Sequence, residues 1–315
     1  MSIESISAAM ANLPNEVYLG VYCLILLLQL FCGTINGIII YYFIKLPVLR
    51  KNKHLRLVFF LSVGDFLLAV TELPYTIYMT ANWNPTLLDF DPLYILVSSV
   101  PLPMQLKVSA TITIALALNR SVALFSPGAY RKVDQGKYSS ITLAIALSLA
   151  VFDVVMYFTF SPIERKPNCG TSGCFVGDTF RYYWGISNMI LGLIAVILSA
   201  AIFYKIRLVS KRNSQSTRAS NKDRFAQANR TSTGILISSL LFLTIPSVCV
   251  GVVELTGFSI FKLVGPFYSA SVLSSGICNG IIFIGCNGDA RRLVQKPSNQ
   301  PAMSVAVSAW STNKN

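Results

Sequence analysis

Seven stretches of the chain, about 17–44, 55–80, 94–119, 139–160, 182–204, 231–256 and 263–287, run almost free of charge, and the polar residues gather between them. Each is long enough to cross a hydrocarbon layer of about 30 Å at about 1.5 Å per residue. In lipid such segments must satisfy their backbone polar groups internally, so each is expected to be a helix. The pattern predicts an all-α membrane protein, a seven-transmembrane helix bundle over 17–290, with a short segment 1–16 ahead of it and a tail 291–315. No internal repeat stands out, and no connection is long enough to be a second domain.

Composition agrees with the pattern. Of 315 residues 53% are hydrophobic and only 12% charged, with a mean hydropathy of +0.58; a soluble domain carries about 25% charged residues. The net charge of +13 raises nucleic acid as a partner. The basic residues, however, lie between apolar runs and not along one face, which suits loops beside a bilayer and its anionic lipid instead. Most of the 26 lysines and arginines fall in 45–56, 120–137, 205–230 and 291–314. The alternate connections hold only Arg165, Lys166, Arg181 and Lys262, and Lys107 lies inside a run. By the positive-inside rule the N-terminus is outside and the C-terminus cytoplasmic. The opening "MSIESISAAMANLPNEVYLG" has no basic residue. It therefore lacks the positive region of a cleaved signal peptide, and the first run is expected to stay as an anchor.

Polar residues inside the runs are costly in lipid and point to the bundle interior. Asn36 in "GTINGI", Asp65 in "LSVGDFLL" and Asn279 in "SSGICNGIIF" lie eight to ten residues from the basic ends of their runs. They share a layer roughly 12–15 Å deep, with Asn36 and Asn279 as the natural partners of Asp65. Lys107 lies about 20 Å along its helix from Arg120, with Asp153 and Glu72 at comparable height. Two readings stand for it, an internal ion pair with one of these carboxylates or a contact to an acidic ligand. Glu254 near the end of run six is a further pocket candidate. Tyr75, Tyr78, Trp83, Tyr182, Tyr183 and Trp184 form either an interfacial aromatic belt or a pocket lining. Pro74 and Pro246 predict kinks in helices two and six.

Enzyme chemistry finds no constellation. His54 is the only histidine, which excludes a His-based metal site within the membrane. Asp65 and Asp153 sit at different heights, unsuited to an aspartyl protease. Lys262 is at the end of run seven, not at its middle where a retinal protein needs it. Neither cofactor nor catalysis is expected. The alternative to a receptor is a transporter or channel for a small solute, which should show repeated halves.

Arg120 ends the third apolar run, and "LNRSVALFSP" followed by "YRK" is similar to the helix-three arginine motif of G-protein-coupled receptors. The resemblance implies that Arg120, with Asn119 beside it, contacts the G protein. Asn119 stands where an acid is usual and Ser121 where an aromatic is usual, so the local ion pair that restrains the arginine is missing. Asn36, Asp65 and Asn279 resemble the polar core of rhodopsin-like receptors, in which the aspartate often holds sodium. Helix seven departs from that pattern, with Gly280 in place of proline and Phe283 in place of tyrosine.

Across about residues 20–290 the chain resembles a nematode serpentine chemoreceptor of the class Srbc. "NRSVALFSPGAYRK", "PNCGTSGC" followed by "FRYYW", "QANR" and the mid-helix Lys107 carry that resemblance. It implies sensory perception such as olfaction: a receptor in the plasma membrane of a sensory neuron or its cilium. Such a receptor detects a small molecule from outside and signals through a heterotrimeric G protein. Rhodopsin-like receptors tie their second outer loop to helix three, but "DPLYILVSSVPLP" offers no cysteine. A Cys169–Cys174 bridge within "CGTSGC", or two free thiols, is what remains.

Overall fold

The computed structural model describes residues 15–213, 222–255 and 261–286. Among them every regular element is helical, and seven helices are long and apolar enough to cross a membrane. They are α1 (Asn15–Lys45), α2 (Arg56–Ala81), α3 (Pro92–Phe125), α4 (Gln135–Phe160), α5 (Asp178–Asn213), α6 (Thr231–Leu255) and α7 (Phe261–Cys286). The flank expected over 1–16 is described only from Asn15, where α1 already begins, and the tail 291–315 lies outside the described residues.

The helices close into one bundle: α1 packs on α2 and α7, α5 on α6, and α3 stands at the centre against α2, α4, α5 and α6. Position explains composition here. The central α3 buries Gln105, Lys107, Ser109, Thr113, Asn119 and Arg120, whereas the outer helices point large apolar groups away from the bundle, as with Leu30 at 61% and Ile197 at 67% exposure. Such faces suit hydrocarbon, where backbone groups are already paired within each helix.

The third span ends later than its apolar run suggests. The run stops at residue 119, but α3 continues to Phe125, so Arg120 lies within the helix and not at its end. The helix stops at Ser126 because Pro127 pushes the preceding residue out of the helical region, and Ser126 has φ −137°. Similarly, α5 begins at Asp178 and runs to Asn213, outside the expected 182–204. Asp178 in its first turn complements the helix dipole, and polar residues continue the helix beyond its apolar stretch.

Three spans are interrupted near prolines. α2 breaks at Glu72, two residues before Pro74, and α3 breaks at Ser99 and Val100, before Pro101 and Pro103. In α6, Leu240–Thr244 is wound as a π-helix just ahead of Pro246. Pro246 has no N–H to give the Phe242 carbonyl four residues back, and Ser271 Oγ of α7 donates to that carbonyl at 2.7 Å. α7 is continuous through Gly280. In place of the bend that a proline would give, the missing side chain there lets Ile35 and Ile39 of α1 press against the backbone. Phe283 is fully buried and stacks on Phe43 at 5.4 Å.

Candidate functional site

Three polar assemblies lie along α3. At one end Arg120 is 5% exposed, and its Nε donates to Ser232 Oγ of α6 at 2.9 Å. Asn119 turns away and donates to Gln135 Oε1 of α4 at 3.0 Å. Among the described residues no carboxylate stands within ion-pair distance of Arg120. The Tyr130 phenol in the short helix Pro127–Lys132 lies close by; burial pushes its pKa up, and the Arg120 guanidinium pulls it down. The arginine therefore ties α3 to α6 through one charge-assisted hydrogen bond, a class stronger than neutral ones.

The middle assembly surrounds Asp65. Its Oδ1 accepts from Gln105 Nε2 of α3 at 2.9 Å, and the same nitrogen donates to Ser109 Oγ. Gln105 reaches it because Gly64 has no side chain; a Cβ there would collide with the Gln105 amide. Asn279 adjoins the carboxyl group. Asn36 instead donates to the carbonyls of Cys32 at 3.0 Å and Gly276 at 3.3 Å. It thus joins α1 to α7 and does not bond Asp65. Asp65 Oδ2, Asn36 Oδ1 and Asn279 Oδ1 are buried without a hydrogen-bond partner among the described residues. Oxygen is the ligand type that a hard cation takes.

The third assembly contains Lys107. Its Nζ lies 3.2 Å from Asp153 Oδ2 and 2.6 Å from Ser187 Oγ. Tyr183 OH donates to Asp153 Oδ1 at 2.8 Å. Two buried charges thus compensate each other across α3, α4 and α5. Glu72 takes no part; its Oε1 accepts from Ser269 Oγ of α7 at 2.8 Å. Glu254 is buried against α5, within electrostatic reach of Arg181.

The end of the bundle away from Arg120 is closed by the connection between α4 and α5. Cys169 and Cys174 form a disulfide with Cα atoms 6.4 Å apart, entered through Asn168 at φ 58°, a left-handed conformation that asparagine tolerates. The loop is not a surface loop: Thr171, Ser172, Phe175 and Val176 are buried. Four anchors hold it. Tyr22 OH donates to Gly170 O at 2.6 Å, the Ser172 N–H donates to Tyr75 OH at 3.2 Å, and the Asn168 N–H donates to Leu88 O at 2.8 Å. Arg181 Nη1 donates to the carbonyls of Gly173 at 2.6 Å and Val176 at 2.8 Å. Of the aromatic residues read as belt or lining, Tyr75 and Trp184 are buried while Tyr182 is half exposed. Trp184 packs edge-on to Tyr268 at 5.6 Å beneath the plug.

Sequence reasoning passed over Gln105, Ser187, Ser232 and Arg181. The neutral three sit among ordinary small polar residues. Arg181 carried a readable signal, being one of four basic residues on the side of the chain poor in them. Among the described residues no three His, Cys, Asp or Glu side chains gather as a metal site.

A family model described as serpentine type 7TM GPCR chemoreceptor Srbc matches residues 18–284, from the first turn of α1 almost to the end of α7. No curated protein matches the chain.

Proposed function

The chain belongs to the Srbc family of serpentine seven-transmembrane chemoreceptors, and we propose that it binds a small environmental or signalling molecule from outside and activates a heterotrimeric G protein inside. In this reading the Arg120 end of the bundle is cytoplasmic and the disulfide-bearing plug is extracellular, which follows from the positive-inside rule and from the oxidising setting that disulfides need. The receptor sits in the plasma membrane of a sensory neuron or its cilium.

The observation that carries the coupling role is the Arg120–Ser232 hydrogen bond between α3 and α6. Receptor activation requires two arrangements of packed helices, and a polar tie between them at the cytoplasmic end is a contact that a G protein can replace. Asn119 and Arg120 form the coupling element. Asp65, with Asn36, Asn279 and the added Gln105, is the polar core that biases the switch, and Asp65 with Asn279 would hold sodium there. Lys107 and Asp153 act as an internal pair that fixes α3, α4 and α5. Glu72 and Glu254 are the candidate carboxylates of the ligand pocket.

The test is G-protein activation in heterologous cells, comparing wild type with Arg120→Ala at matched surface expression under a pooled small-molecule panel. A wild-type response lost in the variant supports the reading. Ionic current that persists without G protein would replace it with a channel.

A further inference from the structure

The connection between α4 and α5 fills the end of the bundle that a ligand from outside would have to enter. Phe175 is 1% exposed and shares one apolar cluster with Tyr22, Tyr75, Trp184 and Tyr268. Beside Ser172 and Val176 of the connection a cavity of about 10 Å³ remains, walled by Ser99, Leu102, Tyr157, Phe180 and Trp184. That is room for about one water. In this arrangement the plug itself occupies the outer pocket.

The plug is covalent within itself and not toward the helices. Cys169 is bridged to Cys174, whereas Tyr22, Tyr75 and Arg181 hold it through hydrogen bonds to Gly170, to Ser172 and to the carbonyls of Gly173 and Val176. Each such bond has a modest net worth. Outside the plug, Arg165 pairs with Asp89 at 3.1 Å with its side chain 73% exposed, and surface pairs of this kind contribute little. Both ends of the plug can turn. Residues 162–167 ahead of it are mostly exposed and lead into the left-handed Asn168. Gly177 follows it, pressed against the Phe160 carbonyl where a Cβ would not fit, and glycine takes many backbone conformations.

We infer that residues 169–176 form a gate, a disulfide-closed body that shuts the outer pocket at rest and withdraws as one unit to admit the ligand. A bridge to α3 would pin this body in its seat. The internal bridge leaves its ring intact whether it is seated or lifted, so opening breaks hydrogen bonds and apolar contacts only. The inference rests on the receptor reading for the ligand, but opening is measured apart from signalling.

The experiment uses the full-length protein in lipid nanodiscs and a charged, membrane-impermeant maleimide. Leu102→Cys places a thiol on the wall of the closed cavity, and Ile163→Cys, at a residue 64% exposed, supplies the reference for an open thiol. The reference should label at once and the wall thiol slowly, at the rate the gate opens. In the Leu102→Cys background, Tyr22→Phe and Tyr75→Phe each keep the ring and lose one anchor. Each should speed wall labelling about fivefold, the equivalent of ~1 kcal/mol. Gly170→Ala, whose Cβ would collide with the Tyr18 ring, should unseat the plug and speed labelling as well. Cys32, a buried thiol against α2, should stay unlabelled throughout. Wall labelling unchanged by the anchor variants, no wall labelling above the wild-type background, or Cys32 labelling in step with the wall thiol would each overturn the gate. Opening without any G-protein response would count against the receptor reading and leave the gate standing.

Discussion

Lys107 Nζ stands 3.2 Å from Asp153 Oδ2, with both side chains at most 2% exposed. Removing one partner strands a charge in the bundle, whereas removing both restores an apolar interior. Asp153→Asn should therefore lower stability by about 3–5 kcal/mol, while Lys107→Met with Asp153→Leu should stay near wild type. Melting of the purified variants in nanodiscs reads both. A double variant as unstable as the single would show that the pair itself, and not the stranded charge, carries the stability.

Ser271 supplies the hydrogen bond that Pro246 cannot. Ser271→Ala leaves the Phe242 carbonyl without that donor and should cost about 1 kcal/mol. In a Pro246→Ala background the regained N–H serves the same carbonyl, so the same substitution should cost markedly less. The double-mutant cycle therefore has a defined sign. Additive losses would sever the link between the two residues.

How much of this was legible beforehand differs by feature. The seven spans follow from charge-free length alone, because the bilayer demands it. Their ends do not: residues 120–125 include Arg120 and Ser121, and the hydropathy signal stops there although helical hydrogen bonding does not. Asp65 and Asn36 could be placed at one depth from helical rise, yet which amide reached the carboxylate depended on Gly64 leaving room for Gln105, a side-chain fit that spacing does not encode. Arg120 was found by its motif, while its partner Ser232 lies 112 residues away in sequence and is one serine among many. The plug was least legible. "CGTSGC" reads as a polar turn, and its burial comes from Tyr22, Tyr75 and Arg181, which belong to three different helices.

At the start of α4, Asp134 Oδ1 accepts from the Gly136 N–H at 2.9 Å and from Lys53 Nζ at 3.3 Å. The backbone bond first, and Lys53 second, hold its carboxyl below the usual carboxylate range. A depressed acid stabilises the fold above its unfolded pKa, and that contribution disappears as pH falls through the lower folded value. Wild type should thus lose melting temperature on acidification faster than Asp134→Asn, which retains an N-cap acceptor but has no carboxyl to titrate. Parallel curves between neutral and acid pH would remove Asp134 from the pH dependence.

Ser232 offers the sharpest test of the switch, because it touches Arg120 without itself being the coupling residue. Ser232→Ala removes the acceptor of the Arg120 Nε bond and leaves the guanidinium on α3 intact. With Asn119 turned to Gln135, no carboxylate among the described residues takes over the restraint. If this hydrogen bond holds α3 against α6 in the resting state, Ser232→Ala should raise basal G-protein signal severalfold at matched surface expression, since losing ~1 kcal/mol shifts a two-state equilibrium about fivefold. Asn119→Asp should act in the opposite sense, supplying next to Arg120 the carboxylate that the sequence lacks and lowering basal signal. Unchanged or reduced basal signal in Ser232→Ala, with ligand response preserved, would mean that the bond stabilises the active arrangement or neither, and the resting restraint would have to be sought in the Asp65–Gln105 core.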